Sequence, residues 1–229
     1  MKMDKNLSES SIGSDQQVAE QKNVLQRWSL SDYDMVFIVT LFVRLCAALF
    51  SNISDCDETF NYWEPTHYLL FGSGQQTWEY DPKYALRSYF YLLPHAIPGF
   101  IYNLLLTPNK VVIFYITRCI MAFICSGCEV YFYQGVRREF GTNVAKITLC
   151  FSVLSAGMFI SSTAFLPSST SMLLLMLSYG AWFQKSYKIA IFTTALSTFV
   201  SWPFAALLGV SIALDILFRQ KKVSLIEIN

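Results

Sequence analysis

Asp55-Cys56-Asp57-Glu58 puts three carboxylates within four positions, directly after the first apolar run of the chain. Like charges this close raise the pKa of at least one of the group, which suits a general base that is ionised near neutral pH and still basic. The same cluster also reads as a hydrated loop end with no chemistry. A second pattern comes next, in which Asn61, Tyr62, Trp63, Glu64 and His67, then Trp78 and Glu79, alternate aromatic rings with hydrogen-bonding groups. Sugars are bound in this way, with CH faces on rings and hydroxyls on Asp, Glu, Asn or His. Packing of Trp and Tyr at a lipid–water interface accounts for the rings equally well, but not for the carboxylates among them. Arg87, at the end of the segment, can meet a phosphate headgroup without being buried.

The elements that must position this segment are apolar. Of 229 residues, 54% are hydrophobic and 14% charged, against about 25% charged in soluble domains. That balance predicts an all-α, polytopic membrane bundle and argues against a water-soluble enzyme. With 17 basic and 16 acidic residues the net charge is +1, which excludes nucleic-acid binding by bulk electrostatics.

Residues 1–31 are polar and Ser- and Gln-rich, and are predicted to form a disordered tail without a cleavable signal. The run 35–50 is then an uncleaved first span, and 51–87 is the acidic and aromatic loop. Further apolar runs cover 88–106, which Pro94 and Pro98 kink or break, then 111–136, 147–184 divided near Leu166-Pro167, and 189–214 with Pro203 inside. Counting 88–106 or not gives six or five spans, and flanking Lys and Arg fall almost equally on the two sides either way. The positive-inside rule therefore does not orient the sequence.

Arg44, Arg118 and Glu129 lie inside apolar runs, where a charge costs at least ~2.5 kcal/mol at mid-bilayer. Eleven helical residues turn about 1100°, so Arg118 and Glu129 share a face. The two arginines either pair with Glu129 or hold a lipid phosphate. Of six cysteines, Cys56 alone is in a polar segment. Cys125 and Cys128 form a C-x-x-C without the second ligand pair that zinc needs, and are expected to be buried small apolar residues. Asn52-Ile53-Ser54 is a glycosylation sequon close to the membrane.

The run Asp55-Cys56-Asp57-Glu58-Thr59-Phe60-Asn61-Tyr62-Trp63-Glu64-Pro65-Thr66-His67-Tyr68, with Gln76-Thr77-Trp78-Glu79-Tyr80 and Tyr84-Ala85-Leu86-Arg87-Ser88-Tyr89, closely resembles glycosyltransferase family 22. Glu129-Val130-Tyr131-Phe132-Tyr133, Ala164-Phe165-Leu166-Pro167-Ser168-Ser169 and Trp202-Pro203-Phe204 extend the resemblance over everything after about Leu30.

The resemblance implies a GT-C-like fold, with 32–229 as the N-terminal part of its transmembrane domain and 51–87 as a luminal catalytic loop. It implies a multi-pass protein of the endoplasmic reticulum membrane. The implied activity is inverting transfer of mannose from dolichyl-phosphate mannose to a dolichyl-diphosphate oligosaccharide, forming an alpha-1,2 linkage in N-glycan precursor assembly. Within the acidic cluster it points to the Asp-Glu pair: Asp57 as base, with Glu58 and Asp55 tuning its charge and holding the acceptor. A phosphate leaving group is stabilised by cations or helix N-termini, so no cofactor or divalent metal is expected.

Family members are longer than this chain, so part of a donor-lipid groove and most turnover are expected to be lacking in these residues alone. The alternative is a non-catalytic membrane protein that binds the lipid-linked substrate or a partner. Ser201 stands where the family's Trp-Pro-Phe motif usually has Gly, and is expected to affect only local helix packing.

Overall fold

The computed structural model describes residues 32–53 and 55–227, with side chains to residue 218. The predicted tail therefore lies outside the described residues. The chain divides into two units, Met1–Val36 and Phe37–Asn229, and the helical bundle belongs to the second. Among the described residues all regular structure is helical.

Helix α1, Asp32–Phe50, carries Asp32 and Asp34 in its first turn, where negative charge favours the helix dipole. A short helix α2, Cys56–Glu58, runs through a π-helical turn, Thr59–Trp63, into α3, Glu64–Phe71. Gly72 closes α3 at φ 70°, a left-handed conformation that glycine adopts without a steric cost. Two single turns, Trp78–Tyr80 and Tyr89–Tyr91, lead to α4, Leu92–Leu105. The longest helix, α5, is Lys110–Phe140; Asn109 caps it by accepting from the amides of Val111 and Val112, and Gly141 at φ 91° ends it. Helices α6, Thr142–Leu154, and α7, Ala156–Ser161, form one bent path. Helix α8, Pro167–Phe183, starts with the proline predicted to divide 147–184, a position where its missing N–H costs nothing. Helix α9, Tyr187–Val200, is succeeded by a 3₁₀ segment, Pro203–Gly209, and α10, Val210–Glu227.

Among the described residues two helices, α1 and α5, are long and apolar enough to cross a membrane; 142–154, 187–200 and 203–218 are shorter apolar helices. The run 189–214 breaks after Val200. Pro203 has no N–H and forces Trp202 into extended backbone, φ −124° and ψ 130°, as expected for a residue before proline. Ser201 sits at that break, its amide donating to the Ser197 carbonyl at 3.1 Å to close α9.

Long-range bonds define two ends of the bundle. At the loop end, Arg118 of α5 donates to the Ala47 and Ser51 carbonyls and to Thr163 Oγ1, at 3.1, 2.8 and 3.1 Å, and to the Ser51 hydroxyl. It thus caps the carbonyl end of α1, where a cation is favoured. At the other end Lys185 pairs with Glu139 at 2.7 Å, and Trp182 Nε1 donates to Asp215 at 2.8 Å.

Helix α4 begins at Leu92, in a core with Tyr62, Met121 and Phe165. Its Gly99 lies against Leu70 and Ile113, and its chain then enters the first turn of α5, so it stays at the loop end. After Trp202 the chain runs back along α8: the Tyr179 hydroxyl donates to Leu208 O at 2.7 Å, and Ile212 packs with Ala181 and Ala190. Helices α5 and α8 cross at Gly135 and Gly180, where a Cβ on Gly135 would lie 2.6 Å from Gly180 O; small residues permit such backbone approach between membrane helices.

Of the intramembrane charges, Arg44 pairs with Glu129: Nε to Oε2 at 3.0 Å and Nη2 to Oε1 at 2.7 Å, with Ser152 bonded to both residues. Arg118 takes no part in that pair. Cys125 and Cys128 are free and buried as expected, whereas Cys150 is free and exposed.

Candidate functional site

The acidic cluster separates into three environments. Asp55 Oδ1 accepts the amide of Asp57 at 2.8 Å and so caps α2. Glu58 is 5% exposed; its Oε1 accepts from Trp63 Nε1 at 3.0 Å and from the Phe165 amide at 2.9 Å, tying the loop to the start of α8. Asp57 remains exposed, with 58% of its side-chain surface open. Asn61 Nδ2 donates to its Oδ1 at 3.1 Å, and Arg87 Nη2 stands 4.0 Å from Oδ2.

The returning segment of the loop is pinned to the helical side by Thr77, Tyr80 and Arg87. Thr77 Oγ1 donates to Asn61 Oδ1, and the Tyr80 hydroxyl donates to the Asn61 carbonyl, each at 2.7 Å. Asn61, thus fixed through both side chain and backbone, holds Asp57. Arg87 Nε donates to Glu79 Oε2 and Nη1 to the Tyr62 hydroxyl, and the guanidinium carbon lies 5.2 Å from the Tyr62 ring centre. Burial pulls Arg87 down, but the bond to Glu79, the charge of Glu79 and the bond to the Tyr62 hydroxyl outweigh it and hold the group above its ordinary value. Burial pushes the Tyr62 and Tyr80 phenols up, against a smaller downward pull from Arg87, so both stay neutral hydroxyls at physiological pH.

The structure therefore brings together Asp57, Asn61, Tyr62, Glu79 and Arg87. The other residues singled out from the sequence lie elsewhere. Trp63 points into the core, 4.7 Å from the Phe114 ring and 5.1 Å from that of Phe165. Glu64 Oε2 accepts the Gln75 amide at 3.3 Å, and His67 Nδ1 donates to the Ser73 carbonyl at 2.7 Å, so these two brace the 72–75 turn. Trp78 is 61% exposed and meets Tyr84 edge-on at 5.3 Å. Thr77, Tyr80 and Phe165 were not singled out by sequence reasoning. Thr77 and Tyr80 flank the Trp78-Glu79 pair, but the Phe165 amide carries no side-chain signal at all.

A profile of the Alg9-like mannosyltransferase family matches residues 35–229. The chain belongs to that family. It is 52% identical over 186 residues to alpha-1,2-mannosyltransferase ALG9 of Mus musculus and to that of Homo sapiens, covering 81% of this chain and 30% of each relative. The protein of the same name in Drosophila melanogaster is 49% identical over 178 residues, 78% of this chain and 29% of the relative. The chain thus spans about 30% of the length of these curated relatives. No solved structure matches it.

Proposed function

We propose that these residues form the acceptor-side catalytic part of an alpha-1,2-mannosyltransferase of GT-C type, with Asp57 as general base. In this reading Asp57 takes the proton of an acceptor mannose 2-hydroxyl as its oxygen bonds to the anomeric carbon of dolichyl-phosphate mannose. The bond from that carbon to the phosphate oxygen breaks, dolichyl phosphate leaves from the opposite face, and the beta donor becomes an alpha-1,2 linkage on a dolichyl-diphosphate oligosaccharide. Holding the two reactants in line contributes as much as the proton transfer.

The observation that carries the reading is the division of labour within the acidic cluster. Glu58 is buried and accepts two bonds, Asp55 caps a helix, and Asp57 presents an exposed oxygen while Asn61 holds the other. A base needs an accessible lone pair on a fixed carboxylate, and Asp57 has both.

A luminal face for the loop, in the endoplasmic reticulum membrane, is supported by the charge pattern once α4 stays at the loop end and the chain turns back at Trp202. Lys83, Arg87 and Lys110 then belong to the loop end; Arg137, Arg138, Lys146, Lys185, Lys188, Arg219, Lys221 and Lys222 belong to the opposite one. Eight cations against three favour the cytoplasm for the opposite end. On this path α1, α5, α6 with α7, α8, α9 and the 203–218 return all cross the membrane.

The test is Asp57→Asn in the complete gene product, assayed in microsomes with dolichyl-phosphate mannose and a lipid-linked acceptor. Turnover is expected to fall by at least ~10², the usual effect of removing a general base. Turnover close to the native value would take the role away from Asp57.

A further inference from the structure

We propose that Thr163, with the backbone amide of Phe165 beside it, is a positioning residue for Asp57: the two fasten both ends of the acidic segment 51–58 to the turn that precedes α8. The proposal rests on the reading of Asp57 as the base.

Two buried charged side chains that take no part in the proton transfer make the ties. Before the segment, Arg118 bridges Ser51 to Thr163: Nη1 donates to the Ser51 carbonyl at 2.8 Å, and Nη2 to Thr163 Oγ1 at 3.1 Å as well as to the Ala47 carbonyl and the Ser51 hydroxyl. At its other end, Glu58 Oε1 accepts the Phe165 amide at 2.9 Å. Arg118 is 4% and Glu58 5% exposed, and Thr163 and Phe165 are fully buried. Two residues of chain extend at most about 7 Å, so both ties end on one small patch of backbone. Asp57 directly precedes the second tie.

The patch is itself held firmly. The Phe165 ring stacks on His95 at 4.1 Å and meets Trp63 edge-on at 5.1 Å, with Tyr91 and Tyr62 at 5.7 and 5.8 Å. Leu166 donates its amide to the Ala164 carbonyl at 2.9 Å, and Pro167, whose ring fixes φ, then starts α8. Because Tyr62 and Trp63 are two of those rings, the turn after Asp57 leans on Phe165 as well. Asp55 and Asn61 orient Asp57 on its own helical turn; the ties to 163–165 decide where that turn stands in the bundle. Placement matters to the chemistry, since a shift of about 1 Å can cost about 10² in rate. Ala164-Phe165-Leu166-Pro167, singled out in the sequence, thus serves the base through hydrogen bonds to its flanks.

The test uses the complete gene product, purified in detergent, with dolichyl-phosphate mannose and a lipid-linked acceptor, and rates taken per folded protein. Thr163→Val keeps the branched shape and removes the acceptor for Arg118. Its kcat should fall about tenfold, with KM for both substrates within about twofold of native, as for a group that acts on the transition state and binds neither substrate. Thr163→Ser keeps the hydroxyl and should restore most of kcat. In an Asp57→Asn background, Thr163→Val should change the residual turnover by less than about twofold, because effects of residues that act as a unit do not add. If Thr163→Val fails to fold, Ser51→Ala removes a hydroxyl from the same Arg118 nitrogen, and its kcat should fall about threefold at unchanged KM.

A native kcat in folded Thr163→Val, or in Ser51→Ala where Thr163→Val does not fold, overturns the proposal. A rise of about tenfold in either KM overturns it too, by making Thr163 part of a substrate site. An equal fall in both backgrounds does the same, by showing that Thr163 supports only the fold in general. Where Asp57→Asn leaves no measurable turnover, the split between kcat and KM and the rescue by Thr163→Ser decide alone. Each of these results leaves Asp57 as base, whereas native-like turnover in Asp57→Asn would remove the base itself.

Discussion

Replacing Arg44 by Met tests whether the bundle is held by its buried ion pair. Arg44 is 0% and Glu129 2% exposed, and they meet through two charge-assisted bonds of 3.0 and 2.7 Å. Without Arg44 the Glu129 carboxylate keeps, among the described residues, the Ser152 hydroxyl, in apolar surroundings where an uncompensated charge is costly. Breaking such a pair from one side costs about 3–5 kcal/mol, a large fraction of a total stability of about 5–15 kcal/mol. Removing both charges costs far less, because the desolvation penalty of the pair is removed with it. Arg44→Met and Glu129→Leu should therefore each destabilise by about 3 kcal/mol or more. The double substitution should recover most of that loss, with a coupling of about 2 kcal/mol or more. The assay is a double-mutant cycle on the complete gene product in mixed micelles, tracking reversible denaturant unfolding by tryptophan fluorescence. Two outcomes would refute the reasoning: a cost below about 1 kcal/mol for Arg44→Met, in the range of exposed pairs, or a double variant equal to the sum of the singles.

The loop supplies two more tests. Glu58→Ala orphans the Phe165 amide and Trp63 Nε1, and each buried donor left unpaired costs about 1–3 kcal/mol; a thermal scan should show a clear loss, smaller in Glu58→Gln, which keeps an acceptor. Gln75→Asn creates an Asn-Gln-Thr sequon ending at Thr77, on an exposed turn, and it should be glycosylated in microsomes; modification of a sequon placed in the 184–186 turn, with none in the loop, would reverse the orientation.

The helical class and the position of the chemistry were legible locally. Long apolar runs, breakers such as Pro167 and the density of carboxylates and rings in 51–87 are properties of neighbouring residues, and periodicity and composition report them. The identity of the exposed carboxylate was not legible. Asp57 and Glu58 are adjacent in sequence, yet one faces solvent and the other is buried against an amide 107 residues away. Arg44 finds Glu129 85 residues away, while Arg118, on the same helix face as Glu129 by spacing, instead caps α1.

Likewise the sequence leaves open whether the apolar run 88–106 spans, and 189–214 reads as one run with Pro203 inside it. Packing of Leu92 and Gly99 keeps the first at the loop end, and the proline-forced extension at Trp202 turns the second back along α8. A residue's own helix fixes the face it lies on; which partner that face meets depends on how helices distant in sequence pack. That packing chose Asp57 as the open carboxylate and set Arg87 beside it.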